Sequence, residues 1–463
     1  VQRFEQVAAL IQARIASNNL KSGEKLPSLR RLAGETGFSV QTVYKGYELL
    51  ESLGICSARD RSGFYVKASQ PAQTPRRHVE RPPPPPVEIR SIEAVIVSRM
   101  RSGNLSSAFQ LDSDLVPYET LGKLLRSALL KRHSGIGHQW SGHQELRTAI
   151  ARRASQRGIF VDPNEVVIAR SETEAFNLCV DSLADQERPI LVESPSYYPA
   201  VESLRHRGVR AIEIYSHPKF GVDPDLFEQI LAKTGVKICV LMGTNHIPTG
   251  RTYKRESLLQ IVVAARRYGA TIIENNIQGE LSYGVVSAPT LKEFDRGDTV
   301  LQIGGTSALL SQSYEVGWVI AGNHTSKLIA NQHLGGAHTP HYALQEALGR
   351  YLGSRVADRN MRTVCQRLSD RMNVGLQLIS AHFPKSCAVS KPEGGYLCWV
   401  RGPRELDAIK QAMSSNDDTF DFIPGPFFSI AGSFTNFIAL NFSRDWTPDR
   451  RRRLARLGEV LHF

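Results

Sequence analysis

Five consecutive prolines, Pro82 to Pro86, constrain this chain more than any other feature. Proline has no amide hydrogen and a fixed φ, so such a run cannot be helix interior or inner strand and favours an extended, solvated backbone. The flanking residues are of the same kind, from Ser69-Gln70-Pro71 through Arg76-Arg77-His78 to Val87-Glu88-Ile89-Arg90. The segment 69–95 therefore reads as a linker between a small module, 1–68, and a large one, 96–463. A chain of 463 residues exceeds one ordinary domain, which agrees. The sequence is 41% apolar and 22% charged, as in soluble globular proteins, and no apolar run approaches the roughly 20 residues of a membrane span. Its six cysteines (56, 179, 239, 365, 387 and 398) form no Cys-x-x-Cys pair, which predicts reduced thiols in a cytoplasmic protein and no structural zinc. Histidines 133, 138, 143, 333, 338 and 341 show no metal-ligand spacing.

The small module predicts three helices and a hairpin. Apolar residues at Phe4, Val7, Ala8, Leu10, Ile11 and Ile15 follow a helical period. Pro27-Ser28 opens a second helix, Gly37 ends it, and Ser39 caps a third. Ile55–Ala58 and Gly63–Val66 read as strands, with Arg59-Asp60-Arg61-Ser62 at the tip. This is the outline of a winged helix-turn-helix. Ser39, Gln41, Thr42, Tyr44 and Lys45 at the start of the third helix are polar groups suited to base edges and phosphates. Ser28, Arg30, Arg31, Arg59 and Arg61 are candidates for holding the DNA backbone. The module carries ten Lys and Arg against six Asp and Glu, while the whole chain is +12, which permits a polyanionic partner. A winged helix used for protein contacts is the competing reading; basic residues on both the helix start and the wing count against it.

Leu26-Pro27-Ser28-Leu29-Arg30-Arg31-Leu32-Ala33, Phe38-Ser39-Val40-Gln41-Thr42-Val43-Tyr44 and Leu50-Glu51-Ser52-Leu53-Gly54-Ile55 together resemble the GntR-type winged helix. In that family the residue after the capping serine is usually Arg; here it is Val40, which puts the operator sequence in question more than DNA binding itself.

In the large module, Val166–Ala169, Ile190–Glu193, Lys237–Met242 and Ala270–Glu274 read as short buried strands separated by helices, a βαβ pattern with a parallel sheet. From about residue 108 the chain resembles the fold-type-I aminotransferases, through Gly142-His143-Gln144-Glu145-Leu146-Arg147, Ile247-Pro248-Thr249-Gly250, Ile303–Ala308 and Gly394–Trp399. The expected fold is thus an α/β domain with a mainly parallel sheet flanked by helices and a small α/β subdomain. A GntR-type head fused to it is the architecture of the MocR-type regulators.

The resemblance also assigns the cofactor positions, and most are changed. The phosphate loop reads Ser171-Glu172-Thr173. Ile247 replaces the Asn that would bond the phenolic oxygen of pyridoxal phosphate, and Asn275 replaces the Asp that would hold its pyridine nitrogen. Ile277 stands where a Tyr is usual. Ala308 replaces the Schiff-base lysine, Glu315 the phosphate-binding arginine, and Ala439 the arginine that grips a substrate carboxylate. Tyr197, the ring-stacking aromatic, is kept. Lys292 is the one lysine between Asn275 and Glu315, and Leu291-Lys292-Glu293 predicts it solvated on the surface.

Losing the lysine removes the amine a Schiff base needs, and two carboxylates would repel a phosphate. The expectation is a regulator with no catalytic residues and no covalently held pyridoxal phosphate. It would bind double-stranded operator DNA as a homodimer, head to tail by resemblance. A degenerate cleft of Ser171, Glu172, Tyr197, Tyr198, Asn245, His246, Asn275, Asn276, Gln278, Ala308 and Glu315 would take a neutral or cationic effector other than pyridoxal phosphate. Two other readings stay open at this point: a working or cofactor-responsive aminotransferase with a regulatory head, and a scaffold with a collapsed cleft.

Overall fold

The computed structural model describes residues 6–8, 10, 11, 14, 20, 23–52, 56–59, 63–66, 109–131, 140–185, 187–284, 288–334, 342–414 and 420–461. Contacts divide the chain into two units, Val1–Pro83 and Pro84–Phe463.

In the first unit, helix α1 (Leu29–Thr36) starts where the Ser28 hydroxyl accepts the Arg31 amide and ends at Gly37, whose φ of 72° closes the last turn. That left-handed geometry favours glycine. Helix α2 (Val40–Ser52) follows, with Ser39 Oγ accepting the Thr42 amide at 3.1 Å. Strands β1 (Cys56–Arg59) and β2 (Gly63–Val66) pair antiparallel. The stretch before α1 joins them: Leu26 N–H donates to the Phe64 carbonyl and Val66 N–H to that of Glu24. Val7, Ile11, Leu26, Leu32, Val43, Tyr47, Leu50, Cys56 and Val66 close one apolar core. The helix boundaries match the caps read from the sequence. Arg61 and the side chain of Arg59 lie outside the described residues.

The second unit is built on an eight-stranded sheet in the order β3-β10-β9-β8-β7-β4-β5-β6. These are β3 (Val166–Ala169), β4 (Ile190–Ser194), β5 (Ala211–His217), β6 (Gly221–Val222), β7 (Ile238–Leu241), β8 (Thr271–Asn275), β9 (Val300–Gly305) and β10 (Gly317–Ile320). The central strands are parallel, as the continuous apolar runs predict; β10 is antiparallel to both β3 and β9, and β6 antiparallel to β5. The sheet is therefore mixed. Every residue of β3, β4, β7, β9 and β10 is buried, the signature of a sheet covered on both faces.

A second, four-stranded antiparallel sheet, β11 (Ala388–Val389), β12 (Leu397–Arg401), β14 (Phe437–Asn441) and β13 (Phe422–Pro424), forms the small subdomain. Its aromatic residues Trp399, Phe422, Phe427, Phe428 and Phe442 are fully buried. Five further helices matter below: α3 (Gln144–Ser155), α4 (Glu172–Leu183), α5 (Tyr198–His206), the 28-residue α6 (Arg355–His382) and α7 (Pro448–Val460). No helix among the described residues is long and apolar enough to cross a membrane.

Candidate functional site

The candidate cleft is built where β9 leaves the sheet and α4 begins. Thr306 clamps the loop that follows: its hydroxyl donates to the Tyr314 carbonyl and accepts the Val316 amide at 2.9 Å. Gly317 opens β10 against the backbone of Ser171 and Glu172; a Cβ there would collide with the Ser171 carbonyl. Gly305 is equally confined, since a Cβ would strike the Glu172 side chain. These two glycines bring the start of α4 onto the strand ends.

Ser171 caps α4 by accepting the Glu174 amide at 3.0 Å. Glu172, the first residue of the helix, turns inward and is only 2% exposed. Its carboxyl accepts the Ser307 amide at 2.9 Å and the Ser307 hydroxyl at 2.7 Å. Glu315 hydrogen-bonds to the same carboxyl. Two acids in contact cannot both ionise freely, so one proton is held between them. Burial raises Glu172, against the lowering effect of its bonds to Ser307 and Glu315. Burial and then the neighbouring Glu172 push Glu315 up to about 7. Tyr197 faces both acids; burial and the Glu172 charge hold its hydroxyl firmly protonated. Tyr396 closes the same space, bonded to Gln278 and donating to the Phe109 carbonyl at 2.8 Å. Ala308 is buried on the loop, 5% exposed.

Asn275 sits at the end of β8, buried, with its side-chain oxygen turned back onto the Ile277 amide at 3.2 Å. Tyr198 stacks between Phe109 and Phe427, each ring 5.3 Å away. The structure thus brings Ser171, Glu172, Tyr197, Gln278, Ala308 and Glu315 together, with Asn275 at the end of the adjoining β8.

Three other residues expected in the cleft have partners or surroundings of their own. Asn245 is fully buried with φ 45°, and its amide nitrogen donates to the Gln278 carbonyl and to Ser282 Oγ, tying two loops. His246 is also buried: Nε2 lies 3.0 Å from Glu193 and Nδ1 2.9 Å from Thr249 Oγ1. Asn276, one residue beyond Asn275, lines a separate small cavity with Arg153, Arg157 and Trp318. Lys292 departs from expectation too. It is 8% exposed, and its ammonium bonds Asp295 at 3.0 Å and the Val300 carbonyl at 2.7 Å. Ser307 and Tyr396 were not singled out from sequence. Their only signal was position inside the Ile303–Ala308 and Gly394–Trp399 segments.

In the head, Ser28, Arg30, Arg31, Ser39, Gln41, Tyr44 and Lys45 are exposed and Thr42 is half-buried. Val40, in the place of the family's usual arginine, is exposed as well. Arg31 is not free: its Nε bonds Glu35 at 3.0 Å, and Arg14 shares that carboxylate. Tyr44 hydrogen-bonds Glu48, which raises its pKa.

The sequence profile of the bacterial gntR regulatory family matches residues 3–66, and that of the class I and II aminotransferases matches residues 107–418. An uncharacterised HTH-type transcriptional regulator of Escherichia coli, YdcR, is 30% identical over 100% of this chain and 99% of its own length. The chain belongs to the MocR-like regulators, a GntR head joined to a class I and II aminotransferase domain. The probable rhizopine catabolism regulatory protein MocR of Rhizobium meliloti is 23% identical, covering 88% of this chain and 83% of that protein. A kynurenine aminotransferase of Pyrococcus horikoshii shares the fold with a TM-score of 0.70 at 19% identity, over 79% of this chain and 94% of that one. Both parts of the expected fold are thus present in this chain, the large sheet being mainly parallel with β10 and β6 antiparallel to their neighbours.

Proposed function

We propose that this protein is a DNA-binding transcriptional regulator whose aminotransferase-like domain has left pyridoxal-phosphate chemistry and serves dimerisation and the sensing of another small molecule. The division is a reader at 1–68, a linker at 69–95 and a sensing domain at 96–463.

The observation that carries this reading is Glu172. A helix start and a serine amide at a strand end make a natural anion site. Here the protein supplies the anion itself, because Glu172 bonds the Ser307 amide and hydroxyl from the first turn of α4. Glu315 stands beside it. A phosphate brought to this place meets an acid pair sharing one proton, with no cation beside them among the described residues; at about 4 Å each unit of negative charge costs roughly 4 kcal/mol at an effective dielectric near 20. Ala308 offers no amine, and Asn275 spends its side-chain oxygen on its own backbone. The donor set does not fit pyridoxal phosphate. What remains between Tyr197, Tyr396 and the acid pair favours a neutral or cationic molecule. Such a ligand acts on DNA binding only through unequal affinity for two arrangements of the dimer.

Titration of the purified chain with pyridoxal phosphate, followed by visible absorbance and calorimetry, tests the reading. The expected result is no aldimine band and no saturable heat; micromolar binding overturns it. For the head, Lys45→Ala is expected to weaken operator binding across sequences and to lower the salt slope by about 1. An unchanged slope in fluorescence anisotropy removes Lys45 from the phosphate contacts.

A further inference from the structure

The small subdomain carries a second cavity of about 340 Å³, and none of the residues lining it belongs to the candidate cleft. Its base is Arg450, in the first turn of α7. The guanidinium lies over Phe420 at 4.9 Å and Trp446 at 5.2 Å, and its Nη2 donates to the Asn441 carbonyl at 2.5 Å. Nε and Nη1 are buried and have no acceptor among the described residues. Orphaned donors on a buried cation are costly. Burial, then the charges of Arg444 and Arg371, lower its pKa to about 10. Arg450 itself forms no ion pair among the described residues, although carboxylates line the opposite wall.

The neighbouring cations are not alike. Arg371 is committed to Asp114, 2.5 Å away, with Asp112 at 3.8 Å, and Arg453 to Asp449 at 2.9 Å. Arg444 is exposed on the cavity rim with no ion pair among the described residues. The remaining wall is acidic, from Asp112, Asp421 and Asp445. A dianion would gain Arg450 and Arg444 but meet those carboxylates. A simple cation would meet Arg450. A ligand carrying one charge of each sign satisfies both walls, and the volume suits a molecule of amino-acid size with some water.

We propose that this cavity binds a small zwitterion of the α-amino-acid type, with its carboxylate on Arg450 and Arg444 and its ammonium towards Asp112 and Asp421. Asp112 belongs to the segment that continues the linker into the large domain. That segment is fastened to the same subdomain: the Gln110 carbonyl accepts Asn441 Nδ2 at 2.8 Å and Ser443 Oγ at 3.1 Å, and Asp114 is held by Arg371. A ligand here adds to the fastening of residues 110–114 to the small subdomain.

The test is calorimetry and thermal shift on the full chain with the standard amino acids one at a time, each binder then repeated as its des-amino acid and its amide. At least one amino acid is expected to bind at one site per chain, and loss of either charge to weaken it tenfold or more. Arg444→Gln and Asp421→Asn should do the same, Arg444→Gln without the folding risk of a change at Arg450. Glu315→Gln should leave the affinity unchanged. No binding at about 10 mM, equal binding of the des-amino acids, or a loss seen in Glu315→Gln but absent in Arg444→Gln overturns the proposal. The pyridoxal-phosphate titration is independent of Arg444, so failure here is distinguishable from failure of the cleft reading.

Discussion

Glu193 and Glu172 are both buried glutamates at the same end of the sheet, 1% and 2% exposed, and they have opposite fates. Burial alone would raise both. At Glu193 the charge and hydrogen bond of His246, with bonds from Ser216 and Tyr253, reverse the effect and hold the carboxyl below its usual range. The Met242 amide adds a further donor at 2.7 Å. At Glu172 the partners are Ser307 and a second acid, so the carboxyl stays above its usual range. One network is closed, with each acceptor matched by a donor. The other keeps a shared proton and an excess of acceptors, the condition in which a site responds to a new ligand or to pH.

The largest expected effect breaks the closed network. Glu193→Ala removes the carboxylate that pairs with His246 and accepts from the Tyr253 hydroxyl and the Met242 amide, and should cost about 3–5 kcal/mol in urea unfolding. A loss below about 1 kcal/mol would mean that water replaces the carboxylate and that the contrast with Glu172 is false.

The second prediction sharpens the open side. Glu315 has a folded pKa of about 7 against a reference of 4.5. The folded state therefore holds the proton more tightly than the unfolded chain between those values. Stability is highest below the unfolded pKa and falls as pH rises towards 7. Glu315→Gln removes this titration, so its melting temperature should exceed that of the parent at pH 8 by about 1–3 °C, with the difference shrinking towards pH 5. A constant difference at both pH values would place the titrating proton elsewhere.

The smallest effect is Glu172→Gln. The amide oxygen keeps an acceptor for Ser307, so overall stability should change by no more than about 1 kcal/mol. The pH dependence should flatten as in Glu315→Gln, and the double variant should flatten it no further, because both substitutions remove one shared proton. Additive flattening in melting curves would separate the two acids.

The architecture was legible because it is written in local signals. Ser28, Gly37 and Ser39 mark helix ends by hydrogen bonding and left-handed geometry, which need no tertiary knowledge. The apolar run Val166–Ala169 coincides with a strand in full. Strand direction was less legible: nothing in Gly317–Ile320 says that β10 runs against its neighbours, because burial on both faces erases the alternation that would distinguish the cases. In the cleft, the identities of Ala308 and Glu315 could be read directly. The inward turn of Glu172 could not, since it depends on Gly305 and Gly317 leaving room from other strands. His246 and Asn245 look like ligand-facing polar residues in sequence; only the positions of Glu193, Gln278 and Ser282 reveal that the fold uses them for itself.

Glu172 also sets what a single substitution can do in this cleft. Ala308→Lys alone would place an amine beside two acids, and an ion pair would form before any aldehyde arrived. A cation in place of Glu315 would hand Glu172 a salt-bridge partner and fill the same space. Each such cation strengthens the occupant of the site. The self-supplied anion works as a ratchet, and an open aldehyde site needs several changes at once.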